Sequence, residues 1–123
     1  MGHACVGFEM EKATEAFEHF KGNLKTVKDY GDRCGDLYLH TWDDGRRLLM
    51  QCEVCGGYVL LQQSEYHGFS DGDNYYDDYF PVCSPEEAAE LNRKFDGYAI
   101  ERNFPGRFLI QDDKKEPHWS KDR

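Results

Sequence analysis

Long apolar runs are missing from this sequence. The longest, Tyr58-Val59-Leu60-Leu61, is strand-sized and far short of the roughly 18 residues a membrane span requires. The first ten residues, Met1 to Met10, have neither the basic start nor the apolar stretch of a secretory signal, so the expected compartment is the cytosol. Basic residues are in the minority, with 15 Lys and Arg against 24 Asp and Glu and a formal net charge of −9. A chain so charged repels phosphates, which excludes coating nucleic acid by counterion release. Signatures of catalysis are also lacking: there is no glycine-rich phosphate loop, no Gly-x-Ser-x-Gly and no His-Glu-x-x-His. Five histidines (His3, His19, His40, His67 and His118) are scattered without a pairing that spacing justifies. His19, between Phe17 and Phe20, reads as a helix-surface residue rather than a base. The chain is therefore not read as an enzyme.

What remains is one domain's worth of sequence, 123 residues with 39% hydrophobic and 15% aromatic content. A core of that size is thin, and an extra staple would help it. Apolar residues at three- and four-residue spacings predict a first helix over Phe8 to Gly22. Leu37 to Trp42 reads as a strand, Asp44-Gly45 as a two-residue hairpin loop, and Arg46 to Gln51 as the returning strand. A third strand is predicted from Gly57 to about His67 and a fourth from about Tyr75 to Val82, joined by a polar, glycine-rich loop. Ser84-Pro85-Glu86-Glu87 is a helix start: Ser84 caps, Pro85 takes the first position and Glu87 completes a capping box. That second helix runs through Leu91 and Phe95 to a stop at Asp96-Gly97. A closing hairpin follows, Tyr98 to Arg102 and Arg107 to Gln111, turned by Phe104-Pro105-Gly106. The expected fold class is α+β, an antiparallel four-stranded meander with two helices and a C-terminal hairpin. A single domain is expected over 1–111, with 112–123 a charged, flexible tail that Trp119 could anchor.

Five cysteines are above ordinary usage, and in a reducing compartment they favour a metal site over a disulfide framework. The sharpest motif is Cys52-Glu53-Val54-Cys55-Gly56-Gly57, in which two thiolates three apart, followed by glycine, suit a tight turn around one cation. One such pair is half of a tetrahedral site. The hairpin at Asp44-Gly45 sets Cys34 opposite Cys55, and the second hairpin brings Cys83 to the same end of the sheet. The expected ligands are therefore Cys34, Cys52, Cys55 and Cys83 around a structural Zn²⁺. Cys5 is unassigned and could replace Cys34 or Cys83. Four thiolates leave no coordination position for water, so the ion would be structural rather than hydrolytic. A reduced, buried role for these cysteines, as small apolar residues, is the plainer alternative. Redox chemistry at Cys-x-x-Cys usually needs a helix N-terminus, and here both flanks read as strands. Around Cys52 to Gly57 the chain resembles zinc-ribbon proteins, although it carries one Cys-x-x-Cys where a ribbon has two.

Acidic and aromatic residues interleave at Asp71, Asp73, Tyr75, Tyr76, Asp77, Asp78 and Tyr79. The glycine and terminal glutamate of a calcium loop are not at the required offsets. A half-exposed strand beside a solvated loop is the ordinary explanation. As a recognition surface, tyrosines would supply rigid contact area and carboxylates would pair with Lys or Arg of a basic protein, such as a toxin or nuclease. In size, acidity and α+β plan the chain resembles, by type alone, bacterial immunity proteins that neutralise basic toxin nucleases, and phage inhibitors of defence. The expected function is thus an acidic protein-binding inhibitor built around structural zinc, acting on protein rather than on nucleic acid or membrane. A zinc-ribbon module of a larger assembly and a thiol or metal enzyme using Cys52 and Cys55 are the alternatives.

Overall fold

Side chains of a strand alternate between the two faces of its sheet. Along Tyr58–His67 this puts Val59 and Leu61 on one side and Leu60, Gln62 and Ser64 on the other, and all five are buried. A strand buried on both faces needs cover on both, and each face has its own helix. The computed structural model describes residues 2–34, 44–67, 73–95, 100 and 104–120. Among these residues six antiparallel strands lie side by side in chain order: β1 (Leu24–Cys34), β2 (Asp44–Cys52), β3 (Tyr58–His67), β4 (Asp73–Val82), β5 (Leu109–Asp112) and β6 (His118–Trp119). A 3-10 turn (Val6–Glu9) and helix α1 (Ala13–Asn23) cover one face, and helix α2 (Pro85–Lys94) covers the other. This is the expected α+β class, with a wider sheet than a four-stranded meander. Among the described residues no helix is long and apolar enough to cross a membrane.

The two faces are packed differently. Under α1, Phe20 stacks on Tyr79 at 5.2 Å and tilts against Phe8 at 4.9 Å, with Val59, Leu61 and Leu109 beneath. Under α2, Phe80 and Phe108 meet at 4.7 Å among Leu49, Leu60, Val82 and Ala88. That second face also buries a guanidinium. Arg47 donates from Nε to Gln62 Oε1 at 2.9 Å and from Nη1 to Asn92 Oδ1 at 3.3 Å, so its charge is hydrogen-bonded where water is excluded. Helix α2 starts as its sequence requires. Ser84 Oγ accepts the Glu87 N–H at 3.1 Å, Pro85 occupies the first turn, and the Glu87 carboxylate accepts the Cys83 N–H at 3.1 Å.

Several expectations meet a different structure. The first strand is Leu24–Cys34, whereas the predicted one at Leu37–Trp42 lies outside the described residues. Asp44 and Gly45 form no hairpin loop, because they belong to β2, where Gly45 pairs with Arg33 on one side and Ser64 on the other. The cause is that β1 is an edge strand. Its register shifts twice, between Thr26 and Lys28 and between Asp29 and Gly31, and much of it faces water, so its sequence shows little alternation.

Within the stretch expected as a charged tail that Trp119 could anchor, His118–Trp119 joins the sheet as β6. Leu109 pairs with Trp119, whose Nε1 donates to the Glu11 carbonyl at 2.9 Å. The Arg107 guanidinium lies 3.7 Å over the Trp119 ring and donates to the carbonyls of Phe8 and Met10 at 2.8 and 2.9 Å. Finally, β5 pairs with β4 and β6, and the partner strand expected at Tyr98–Arg102 lies mostly outside the described residues. Of that predicted strand only Ile100 is described, and it is buried on the α2 side.

Candidate metal centre

β2 delivers Cys52 at its last position, and the chain then reverses into β3 within five residues. Two backbone hydrogen bonds of 2.8 Å close the turn, from Gly56 N–H to the Cys52 carbonyl and from Cys52 N–H to the Gly57 carbonyl. Gly56 has φ of +76°, a left-handed conformation that side chains disfavour. Gly57 is needed for a different reason. A Cβ there would lie 2.6 Å from both the nitrogen and the Cα of Cys5, because the N-terminal segment runs directly over the turn. That segment is held by Tyr58 N–H to the His3 carbonyl at 2.9 Å and by Cys5 N–H to the Tyr58 carbonyl at 3.1 Å.

The result is a triangle of sulfurs. Cys5, Cys52 and Cys55 place their Sγ atoms within 4.8 Å of one another, with Cys5 and Cys55 at 3.9 Å. Cys5 and Cys52 are buried and Cys55 is half-buried. Two histidines flank the triangle. His19 Nε2, from α1, lies 3.4 Å from Cys52 Sγ, and the His3 side chain favours the Cys55 thiolate. Beyond His3 the surface opens into a cleft of about 420 Å³ lined by Gln51, Tyr58 and Pro85 among others.

The sulfurs differ electrostatically. Burial, reinforced by the neighbouring sulfurs, holds the Cys5 thiol well above its ordinary range despite a hydrogen bond from the Gly7 backbone. Burial also opposes ionisation of Cys55, but it is outweighed by hydrogen bonds from the Val6 and Gly57 N–H groups and from His3 and Cys52. Together they bring the Cys55 pKa down to about 6. One thiolate is thus ready at neutral pH, beside a thiol that an approaching cation would have to deprotonate. Soft sulfur donors with imidazole nearby are a donor set suited to zinc.

Cys52 and Cys55 lie together, as their spacing requires, and the third sulfur comes from Cys5. Cys34 is not brought to the pair. It pairs with Asp44, eight residues along β2 from Cys52, which at about 3.3 Å per residue is about 26 Å away. Cys83 follows the Tyr58–Val82 pair and so reaches the expected end of the sheet. There it is exposed and outside the sulfur cluster, on the chain that turns to enter α2. His19 was missed as a neighbour of the site. Its signal was helical spacing, since it follows the buried Ala16 by three positions and adjoins the buried Phe20.

Of the acidic and aromatic set, Asp78 and Tyr79 are buried in β4, an interior strand between β3 and β5, and are core residues rather than contact residues. Tyr76 is partly exposed, and Asp77 is buried enough to raise its carboxyl pKa. Tyr75 is exposed. Asp73 pairs with His67 through the backbone, and Asp71 lies outside the described residues. Comparisons with protein families, with curated proteins and with solved structures returned no match.

Proposed function

We propose that this chain is a metal-binding protein in which Cys5, Cys52 and Cys55 hold a structural zinc ion. The observation that carries the reading is the mutual approach of three sulfurs from two distant parts of the chain. The knuckle resembles half of a zinc ribbon, completed by the N-terminal segment instead of a second Cys-x-x-Cys. Structural zinc in small peptides binds with about 10 kcal/mol or more, comparable to the whole stability of a domain this size. Native mass spectrometry before and after chelation tests it. The expected result is one bound ion, lost to the chelator together with a large fall in melting temperature. Protein purified from zinc-containing medium without a bound ion, and indifferent to the chelator, would contradict it.

The role of the scaffold, on this reading, is to bind another protein. A net charge of −9 favours a basic partner, and a neutraliser of a toxin or nuclease is the partner class that charge and size support best. Contact falls to exposed residues such as Tyr75, with Asp71, Asp73, Tyr76 and Asp77 as further candidates. Affinity for the partner should then fall steeply with salt, and a complex indifferent to salt would exclude the mechanism.

A thiol enzyme is the second reading, favoured by the partly accessible Cys55 sulfur 3.9 Å from that of Cys5. Alkylation separates the two. A structural ion protects all three cysteines until chelator is added, whereas a thiol enzyme exposes Cys55 to rapid modification in the native protein.

A further inference from the structure

We propose that His19 is the fourth ligand, making a closed Cys3His centre from Cys5, Cys52, Cys55 and His19. The inference rests on the reading that the three sulfurs take up a divalent ion. A tetrahedral zinc with Zn–S of about 2.3 Å and Zn–N of about 2.0 Å requires its ligands to stand about 3.8 Å apart between sulfurs and about 3.5 Å between sulfur and nitrogen. The structure holds one edge of each kind: 3.9 Å between Cys5 and Cys55 Sγ, and 3.4 Å between Cys52 Sγ and His19 Nε2.

The imidazole is already aimed. The ring of His19 packs edge-on against Phe20 at 6.2 Å, which turns Nε2 toward Cys52 and leaves Nδ1 3.5 Å from the Asn23 side-chain amide. Asn23 is held in turn by a 2.8 Å hydrogen bond from its Nδ2 to the His19 carbonyl. Ligation through Nε2 would put the imidazole proton on Nδ1, so Asn23 would have to present its Oδ1 there in place of Nδ2.

His3 is the competitor, because its side chain favours the Cys55 thiolate. It is exposed, on a segment bordering the open cleft, whereas His19 is half-buried on the same helix that supplies Phe20 to the core. Ligation by His19 also joins more of the fold. Cys5 precedes the 3-10 turn, His19 lies on α1, Cys52 ends β2 and Cys55 sits in the turn to β3. The ion would fasten the N-terminal helical layer to the sheet, and with four protein ligands it would have no position for substrate or water.

Cobalt(II) titration of the full-length protein tests this, followed by sulfur-to-cobalt charge-transfer absorption and by the visible ligand-field bands. Wild-type protein is expected to show both, with bands typical of three sulfurs and one nitrogen. His19→Gln should weaken cobalt affinity by about tenfold or more and move the ligand-field bands while keeping the charge-transfer absorption. His3→Gln should leave the bands in place. Shifted bands in His3→Gln with an unchanged His19→Gln would overturn the assignment, as would unchanged bands in both. Wild-type protein that takes up no cobalt would instead defeat the metal reading itself, and this inference with it. Should His19→Gln fail to fold, cadmium-loaded wild-type protein decides the matter. Scalar coupling between cadmium and His19 Nε2 supports the proposal, and coupling to His3 or to neither ring overturns it.

Discussion

Gly57→Ala and Gly56→Ala, one residue apart, should fail for different reasons and by different amounts. At Gly56 an added Cβ meets nothing within 4 Å, so the cost is conformational. Holding alanine at a φ of +76° costs about 1–2 kcal/mol. At Gly57 the obstacle is backbone: the new Cβ would lie 2.6 Å from the Cys5 nitrogen and Cα and 2.7 Å from the Ala4 carbonyl carbon. None of these atoms can rotate away, so the N-terminal segment must lift by close to an ångström. Overpacking of this kind costs about 1–3 kcal/mol. The lift also stretches the 2.9 and 3.1 Å hydrogen bonds that pin the segment to Tyr58, each worth about 1 kcal/mol. The expected total is about 3–5 kcal/mol, and Cys5 leaves the sulfur triangle at the same time. Urea denaturation of both variants, with and without added zinc, measures this. Gly57→Ala should lose most of its response to zinc, whereas Gly56→Ala should keep more of it. Equal destabilisation of the two, or an unaltered zinc response in Gly57→Ala, would refute the argument that the turn and the N-terminal segment form one site.

Other outcomes follow from the packing and the charges. Phe20→Ala removes a buried ring that contacts both Phe8 and Tyr79, so it should cost about 3–5 kcal/mol, read as a lowered urea midpoint with little change in slope. Trp119→Ala releases Arg107 and the Glu11 carbonyl, and should raise hydrogen exchange at both ends of the chain before it affects the β2–β3 pair. In the metal-free protein Cys55 ionises at a lower pH than an ordinary thiol. Its contribution to stability is therefore present in full above the usual cysteine pKa, near 9.0, and is lost as pH falls through about 6. Thiolate ultraviolet absorbance should show a step near pH 6 that Cys55→Ala abolishes; a first thiol titration near the usual cysteine value would contradict the described geometry.

The parts of this fold legible in the sequence are those where a local rule suffices. Ser84-Pro85-Glu86-Glu87 specifies its helix start by chemistry within four residues, and β3 and β4 carry enough apolar alternation to declare themselves. Cys52 and Cys55 identify half of the site because a tight turn joins them. The other half depends on pairings that no local signal encodes. β1 is bulged and largely wet, so its polar sequence concealed a strand and shifted the predicted position of Cys34 by most of the sheet's length. Cys5 and His19 reach the turn through tertiary packing, Cys5 by a single parallel bridge at Ala4 and His19 by the docking of α1. Asp78 and Tyr79 looked like a surface because interleaved acids and tyrosines resemble a half-exposed strand, and the pairing of β4 on both sides was invisible locally.

The grip of Arg107 and Trp119 on the first eleven residues has a consequence for how the chain reaches this state. Its hydrogen bonds join positions 97, 99 and 108 residues apart. Contacts of such long range form late, because loop-closure entropy must be overcome before they give any return. Until those residues are made, Phe8, Met10 and Glu11 lack these partners, and the hydrogen bonds of His3 and Cys5 to Tyr58 are what can hold the segment. The clamp can close only after Arg107 and Trp119 have been made, long after Cys5, Cys52 and Cys55.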